Sequence, residues 1–447
     1  MESFTVYGVV DKIREVMERY PDTRKGNNTR YALSDAVIGA FSVFFMQCPS
    51  FLAHQKLMQE SQGKNNTKSL FRLTAIPTDQ QIRNILDAIA PSVLFPLFRY
   101  CFEGLQTSGI LETFRVGSRD GIRKGDLLIA IDGTGYFSSN TIHCRNCTKK
   151  EHADGSSMYS HSVLTPSVVS PGKGVVVPLE PSYITPQDGA TKQDCETNAA
   201  KRWIKTYGKF YAPLSVTILG DDLYSRQPMI ETLVSQKFHF ILVCKRESHV
   251  YLYDWVDTLA QAGDLAIVTR RRWNGKYHEH TTYRFAHDVP LKDGDDALRV
   301  SFCDVTLTRE EDGKRLYTNA FVSDQPIREE TIADVVSWGR SRWKVENEGN
   351  NTLKTKGYHF EHNYGHGTRY LSAVLATLIL LAFLSHTMME FASEAYRTLR
   401  LKLPTRQMFF HHVEAIAAYV AVVSWDDLFS FMLQGLKNPH VVTIAPG

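Results

Sequence analysis

The sequence predicts an α/β protein in which a mixed sheet carries an all-β insertion and is flanked by helical regions at both ends of the chain. Three observations predict this class. Apolar residues repeat at three-to-four spacing from about residue 9 to 114. Short β-branched runs alternate with helix-forming segments from about 125 to 263, which is typical of layered α/β folds. Helix signals then vanish over 264–324 and return at Glu330.

The amino-acid composition restricts the class of protein to which the chain can belong. Of the 447 residues, 43% are hydrophobic and 22% are charged, which excludes disorder as the state of most of the chain. The net charge of +3 is too weak to indicate a nucleic-acid or membrane partner, so any basic surface must be local. Seven scattered cysteines and the lack of a signal-peptide pattern after Met1 predict a reduced, cytoplasmic protein.

The amino-terminal region, residues 1–115, is predicted to be a helical domain of its own. The segment SDAVIGAFSVFFMQ has helical periodicity, and Thr78 with Gln81 forms a capping box before the segment IRNILDAI.

The central strands are predicted at buried apolar runs bounded by turn residues, with helices between them. The runs are LLIAID (127–132), HSVLTPSVVS, GVVVPL, VTILGD (216–221) and FHFILVC, and the helices are QDCETNAAKRWIKTY and PMIETLVSQ. This core comprises residues 116–263 and 325–370. The insertion, 264–324, is predicted to hold about four to six strands.

The longest apolar run, Ala373–Ser385, is shorter than the roughly 18 residues that a membrane span needs. We therefore expect a buried helix here, within a helical carboxyl-terminal region over 371–447, and no membrane partner.

Acidic residues close two of the predicted strands. Asp132 ends LLIAID and is followed by Gly133, which would let a phosphate approach the backbone; Asp221 and Asp222 end VTILG. Open sheets place ligands at the carboxyl ends of strands, although acids at these positions also form turns and helix caps. A third acid, Glu346, lies on a predicted amphipathic helix, where the alternative is a solvated face with local ion pairs. Together, three such carboxylates could hold two divalent metals about 3.5–4 Å apart, and their oxygens suit Mg²⁺ or Mn²⁺.

Three groups of segments carry a resemblance to a known family: LLIAIDGTGYF, then KQDCETNAAKRW with VTILGDDLYSRQP, then RWKVENEGNNTLKTKGYHFEHNYGHG. In order and spacing they resemble the DDE transposases of bacterial insertion sequences, and specifically the cut-and-paste group with a β-strand insertion in a ribonuclease-H-like catalytic domain. The resemblance extends from about Asp126 to Tyr370. It implies a ribonuclease-H-like core over 116–263 and 325–370, and a DNA-binding role for the helical region 1–115.

The resemblance also implies that Asp132, Asp221 and Glu346 are the catalytic triad that binds Mg²⁺ (or Mn²⁺). Asp221 matches the family's Asp-x-x-Tyr spacing before Tyr224, and Asp222 is the alternative.

The last motif departs from the family's order of Tyr, Arg, Glu and Lys. Arg342 and Glu346 match its spacing, but Gly339 stands at the Tyr position and the Lys arrives one residue late, at Lys354. Glu348 has the family's spacing to Lys354 and is the reserve candidate for the third acid.

The implied activity is phosphoryl transfer on DNA: cleavage at element ends and joining of the 3′-hydroxyl ends to a target by a two-metal mechanism. The implied partners are double-stranded DNA and further copies of the chain, in a homodimer or a larger synaptic complex in the bacterial cytoplasm. Two alternatives stay open: a transposase-derived protein that binds DNA without cleaving it, and a structure-specific nuclease on the same core.

Two sets of basic residues are candidates for DNA contacts. Arg342, Lys344 and Lys354 would meet phosphates near the third acid. Arg270, Arg271, Arg272 and Trp273 form a basic and aromatic cluster in the insertion, suited to phosphate contact and base stacking. The alternative for this cluster is an edge strand protected by charge.

A possible structural zinc site follows the first acid. Cys144, Cys147, His152 and His161 have the spacing Cys-x₂-Cys-x₄-His-x₈-His, and the first three resemble a zinc knuckle. The fourth ligand stays open among His161, His143 and Cys195, and two reduced thiols without a metal are the alternative.

Three further histidines, His359, His362 and His366, recur at helical spacing without an HExxH or HxxEH motif. They are predicted to form a polar helix face that could touch DNA.

Overall fold

The computed structural model describes residues 4–60, 65–117, 125–186 and 193–437. Within these ranges the protein is, as predicted, mixed α/β with a mixed sheet and helical regions at both ends. The mixed sheet has nine strands. The predicted boundary near residue 116 adjoins residues 118–124, which lie outside the described part.

The amino-terminal region folds into short helices around one buried helix. The bounds are α1 Val6–Glu18, α2 Leu33–Phe45, α3 Phe51–Gln55, α4 Asn66–Phe71, α5 Asp79–Leu86 and α6 Phe95–Thr107. Every residue of α2 except Asp35 is buried, so this helix is the centre of the region. The predicted capping box is confirmed, because the Thr78 side chain accepts the backbone N–H of Gln81 where α5 begins.

The carboxyl-terminal region is also helical, and its first helix is the predicted buried one. The bounds are α12 Leu371–Ala392, α13 Glu394–Lys402, α14 Arg406–Tyr419 and α15 Trp425–Lys437. By length and composition α12 could cross a membrane, but 89% of its most apolar window is buried inside the protein. The burial is that of a core helix.

The two helical ends share a single core. The ring of Phe45 on α2 lies 5.5 Å from Phe410 on α14 and 5.3 Å from Trp425 on α15. Asp87, which follows α5, accepts the backbone N–H groups of Arg369 and Leu371 where α12 begins. The described residues of the amino-terminal and carboxyl-terminal helical regions are therefore packed together, although they stand at opposite ends of the sequence.

The central strands are β1 Leu127–Ala130, β5 Ser167–Val169, β6 Val177–Pro178, β8 Val216–Gly220 and β9 His239–Val243. Strand β1 pairs antiparallel with β5 on one side and parallel with β8 on the other, and β8 is parallel to β9. Parallel neighbours need crossover connections, which α7 (Glu196–Tyr211) and α8 (Gln227–Ser235) supply. Helix α9 (Val250–Ala262) follows β9.

The predicted insertion has four strands, and they continue the central sheet. They are β10 Ala266–Trp273, β11 His278–Pro290, β12 Arg299–Arg309 and β13 Arg315–Ser323. Phe321 of β13 pairs with Val243 of β9, which gives the order β10-β11-β12-β13-β9-β8-β1-β5-β6. The insertion is thus joined to the core sheet by backbone hydrogen bonds, and β10 is an edge strand.

A smaller sheet leaves the core directly after Asp132. It contains β2 Gly133–Ser139, β3 Thr148–Glu151, β4 Ser157–Leu164 and β7 Ser182–Ile184, with the order β2-β4-β3 and β7 paired to β4. The chain therefore turns out of the main sheet at the first predicted acid.

The last core segment is helical only in part. It contains α10 Ile332–Arg340, a π-helical turn Val345–Asn350 and α11 Asn351–Thr355. The helix predicted to carry His359, His362 and His366 is not formed, because residues 357–370 are irregular. Gly357, His359 and Gly367 have positive φ angles, a conformation that a right-handed helix cannot contain.

Candidate functional site

Asp132 and Asp221 lie side by side at the carboxyl edge of two parallel strands. Ala130 of β1 is in register with Leu219 of β8, and the N–H of Ile131 donates to the Leu219 carbonyl at 2.9 Å. Each aspartate follows two residues after this pair. The sheet register therefore brings together two acids that are distant in sequence.

The charge of Glu346 acts on Asp132 and so assigns Glu346 to the same site. The pKa of Asp132 is raised from its ordinary 3.8 to about 7, first by burial and then by the negative charges of Glu196, Asp221 and Glu346. The guanidinium of Arg342 opposes this rise. Asp221, Glu346 and Arg342 are thus all near enough to Asp132 for their charges to change its pKa.

Asn350 connects the segment carrying Glu346 to the end of β1. Its amide donates to Oδ2 of Asp132 at 3.3 Å, and its oxygen accepts the Thr165 hydroxyl at 2.9 Å. Thr165 in turn donates its backbone N–H to the Asp132 carbonyl at 2.9 Å. Asn350 is buried and ends the π-helical turn, a rare geometry that is frequent at functional sites.

Glu196, the first residue of α7, is a further acid of the site that the sequence prediction missed. It accepts the backbone N–H of Gly133 at 3.0 Å and the hydroxyl of Tyr224. The expectation that Gly133 leaves room for a phosphate is wrong, because a Cβ at Gly133 would lie 2.3 Å from the Glu196 carboxylate. The glycine instead makes room for Glu196.

The two alternative acids have different surroundings. One oxygen of Asp222 accepts the Lys245 N–H and the Ser248 hydroxyl, each at 2.6 Å, and so holds the turn after β9. Glu348 is half-buried two residues beyond Glu346. Asp221 and Glu346 are the members of each pair whose charges raise the pKa of Asp132.

The donor set of the acidic site fits a hard divalent cation, since carboxylate oxygens are the ligands that Mg²⁺ and Mn²⁺ prefer. The three carboxylates do not, however, form a group whose ligand atoms all lie within 4.8 Å of one another. Like charges oppose a closer approach unless a cation lies between them.

Of the three basic residues predicted near the third acid, only Arg342 is seen to act on Asp132. Lys344 is buried, and its Nζ donates to the Lys173 carbonyl at 2.6 Å, so its ammonium group is used within the protein. Lys354 forms an ion pair with Glu361 at 2.8 Å.

The basic cluster of the insertion, Arg270 to Trp273, lies exposed on the edge strand β10. Arg271 pairs with Glu310 at 2.7 Å, and Arg270 donates to the Glu329 carbonyl at 2.7 Å. Trp273 is 55% exposed. Five strands separate this cluster from β1.

The predicted zinc residues are brought together only in part. Cys144, Cys147 and His161 converge, but His152 is exposed at the turn between β3 and β4 and lies apart, so its assignment is corrected. The hairpin register explains this, because the pairing of Thr148 with Ser160 puts His161 beside Cys147 and leaves His152 near the turn.

The fourth member of this cluster is His366. The polar helix face predicted for His359, His362 and His366 is wrong, since all three lie in the irregular segment 357–370. Nε2 of His366 is 3.4 Å from Sγ of Cys147. His143 and Cys195, the other candidates for a fourth ligand, are exposed and do not belong to the cluster.

Comparison of the sequence with protein-family models gives no match, and comparison with curated proteins gives none either. The site consists of acids at the carboxyl ends of two parallel strands in a mixed sheet, with the charge of Arg342 acting on Asp132. This edge, at the carboxyl ends of the parallel strands, is the one at which open α/β sheets generally place their ligands.

Proposed function

We propose that this chain is a metal-dependent DNA transposase that cleaves DNA at element ends and joins the 3′-hydroxyl ends to target DNA. The observation that carries the proposal is the parallel register of β1 and β8, which puts Asp132 and Asp221 at one edge of the sheet, where the charge of Glu346 also raises the pKa of Asp132. The motif resemblance between Asp126 and Tyr370 gives the reaction class. Double-stranded DNA and a second copy of the chain, in a dimer or larger synaptic complex, are the partners this activity needs.

The sheet topology supports the finer fold assignment, a ribonuclease-H-like core. In it, β1 has antiparallel neighbours on one side and the parallel strands β8 and β9 on the other. Acids at the ends of β1 and β8, and a third on a later helical segment, agree with the placement that the resemblance implies.

Asp132, Asp221 and Glu346 would hold Mg²⁺ (or Mn²⁺). When bound, such ions activate water or a 3′-hydroxyl and stabilise the leaving oxygen. The protein's part is positional: the parallel register fixes the two aspartates, and Asn350 fixes the orientation of the Asp132 carboxylate.

Arg342 supplies positive charge at the same place. Its guanidinium favours the ionised form of Asp132, and an arginine there is suited to bind a phosphate of the DNA strand. Together, the acids and the arginine can bind both cations and a phosphodiester.

The test is an excision and joining assay with the full chain, Mg²⁺ and a plasmid carrying the DNA that flanks its coding sequence. We expect breaks at short inverted repeats and covalent joining of the released 3′ ends to a target plasmid. Asp132→Asn, Asp221→Asn and Glu346→Gln should reduce both products to background, while the matched variant Glu348→Gln keeps them. Unfolding curves of each variant control for loss of the fold.

Each other outcome contradicts a defined part of the proposal. Equal excision by the wild type and Asp132→Asn would refute the triad. Loss of activity in Glu348→Gln but not in Glu346→Gln would move the third acid to Glu348. Cleavage without joining would identify a nuclease, and binding of the repeats without cleavage a DNA-binding protein.

A further inference from the structure

Four side chains from three segments converge beside the smaller sheet. Sγ of Cys144 lies 3.9 Å from Sγ of Cys147 and 3.5 Å from Nε2 of His161. Sγ of Cys147 lies 3.4 Å from Nε2 of His161 and 3.4 Å from Nε2 of His366. Among the residues that the structure describes, this is the one group of at least three His, Cys, Asp or Glu residues whose ligand atoms all lie within 4.8 Å of one another.

These separations match the edges of a tetrahedral metal site. Bonds of about 2.3 Å to sulfur and about 2.0–2.1 Å to nitrogen put neighbouring ligand atoms roughly 3.3–3.8 Å apart in a tetrahedron. A disulfide would need the sulfurs at about 2.05 Å, far less than the 3.9 Å between Cys144 and Cys147.

The surroundings fit thiolate and imidazole ligands. The N–H of Asn146 points to Sγ of Cys144, and the N–H of Cys144 to Sγ of Cys147, each at 3.4 Å. Such backbone donors stabilise metal-bound thiolates. Aromatic rings close the site: Tyr136 stacks on His161, and Phe137 lies 4.4 Å from the ring of His366.

We propose that Cys144, Cys147, His161 and His366 bind a structural Zn²⁺ ion. Two sulfurs and two imidazole nitrogens in a tetrahedron are typical of structural zinc sites, and four protein ligands leave no position for a substrate. This inference goes beyond the transposase proposal and does not depend on it.

A bound zinc ion would link the smaller sheet, which begins after Asp132, to the segment that follows the helical turn bearing Glu346. The smaller sheet that carries His161 begins at Gly133, directly after Asp132, while His366 lies in the segment that follows the helical turn bearing Glu346. A link between positions so far apart in sequence restricts the chain strongly. Zinc would therefore hold the first and third acids in fixed relation.

The test measures the metal directly. The full chain, purified and dialysed against metal-free buffer, should retain about one zinc per chain, and replacement by Co²⁺ should give the visible absorption of a tetrahedral thiolate complex. Cys147→Ser and His366→Ala should weaken zinc binding at least about tenfold. The matched variants Cys195→Ser and His152→Ala should bind zinc as the wild type does.

Thiol reactivity of the wild type gives a second test, which does not depend on whether the variants fold. A chelator should expose the thiols of Cys144 and Cys147 to a thiol reagent, and added zinc should protect them again. The proposal is overturned if the wild type binds neither zinc nor Co²⁺, or if its thiols react equally with and without zinc. Loss of metal in His152→Ala but not in His366→Ala would overturn the ligand assignment.

Discussion

The side-chain amide of Asn350 donates to Oδ2 of Asp132 at 3.3 Å, across 218 residues of sequence. The side-chain oxygen of Asn350 also accepts a hydrogen bond from the Thr165 hydroxyl. The backbone N–H of Thr165 donates to the Asp132 carbonyl. One buried amide therefore ties the end of β1 to the helical turn that carries Glu346. This makes Asn350 a positioning residue for the acidic site.

We expect Asn350→Ala to lower the affinity for Mn²⁺ and the rate of DNA cleavage by about 10–100-fold, because the Asp132 carboxylate loses its orienting donor. Metal titration and the cleavage assay measure the two effects. Asn351→Ala is the matched control, since Asn351 is exposed and contacts Asn347 on the surface. Equal losses of Mn²⁺ affinity and cleavage rate in Asn350→Ala and Asn351→Ala would contradict the positioning role of Asn350.

Replacing Glu196 should change the ionisation of Asp132. Because Glu196 is the largest of the charges that raise this pKa, Glu196→Gln should lower the pKa of Asp132 and allow metal binding at lower pH. Mn²⁺ titrations over a pH series measure the shift. Tyr224→Phe removes the hydroxyl bonded to Glu196 but keeps the charge, so it should not reproduce the shift. An unchanged pH profile in Glu196→Gln would contradict the prediction.

The raised pKa of Asp132 also predicts a dependence of stability on pH. The folded state favours the protonated acid, so this group costs stability as the pH rises from about 4 to about 7, and the cost is complete above that range. In metal-free buffer Asp132→Asn should therefore be more stable than the wild type at pH 8, by about 1–3 kcal/mol after allowance for partial hydration.

The difference between Asp132→Asn and the wild type should vanish near pH 4, as measured by denaturant unfolding at both pH values. Mg²⁺ added at pH 8 should stabilise the wild type and leave the variant unchanged. A wild type more stable than Asp132→Asn at pH 8 without metal would refute the predicted sign.

Asp87 should stabilise the start of α12. Partial burial raises its pKa, but the N–H groups of Arg369, Leu371 and Thr368 outweigh burial and lower it below the ordinary 3.8. Asp87→Ala should therefore cost about 1–2 kcal/mol of unfolding free energy at pH 7. Because the folded pKa is depressed, the contribution of the charge is present above about pH 4 and is lost as the pH falls below it.

Thermal unfolding at pH 7 and pH 3 compares Asp87→Ala and Asp87→Asn with the wild type. Asp79→Ala is the control, because Asp79 forms an exposed ion pair with Arg83, and such pairs contribute under about 1 kcal/mol. Equal destabilisation by the Asp79 and Asp87 variants would argue against the capping role.

The features predicted correctly from sequence depend on local pattern. The apolar runs that end at Asp132 and Asp221 specify buried strands, and parallel strands bring their carboxyl ends to one edge. The run within Leu371–Ala392 is apolar on all sides, and such a helix is buried. The capping box of Thr78 is likewise complete within four residues.

The features that were missed depend on tertiary contacts. Glu196 at a helix start and Asn350 within a polar turn are ordinary surface residues by pattern, and only folding brings them against Gly133 and Asp132. His366 shows helical spacing with its neighbours, but the positive φ angles nearby follow from the folded path of the chain. The pairing of β13 with β9 is similarly non-local, so the insertion looked independent in sequence.

The position of β10 at the edge of the sheet fixes how far its arginines lie from β1, the strand that ends at Asp132. Six strand spacings of about 4.8 Å put its arginines roughly 29 Å from β1. The register puts Ala266 level with Asp132, so Arg270 and Arg272 lie four and six residues further along β10. A DNA duplex rises about 3.4 Å per base pair, so under the proposed function these arginines would contact DNA more than about eight base pairs from a phosphate bound at Asp132. The width of the sheet would then set the distance between the two DNA contacts. Adding or removing one β-hairpin would move the DNA contact at β10 without moving the proposed site of cleavage at Asp132.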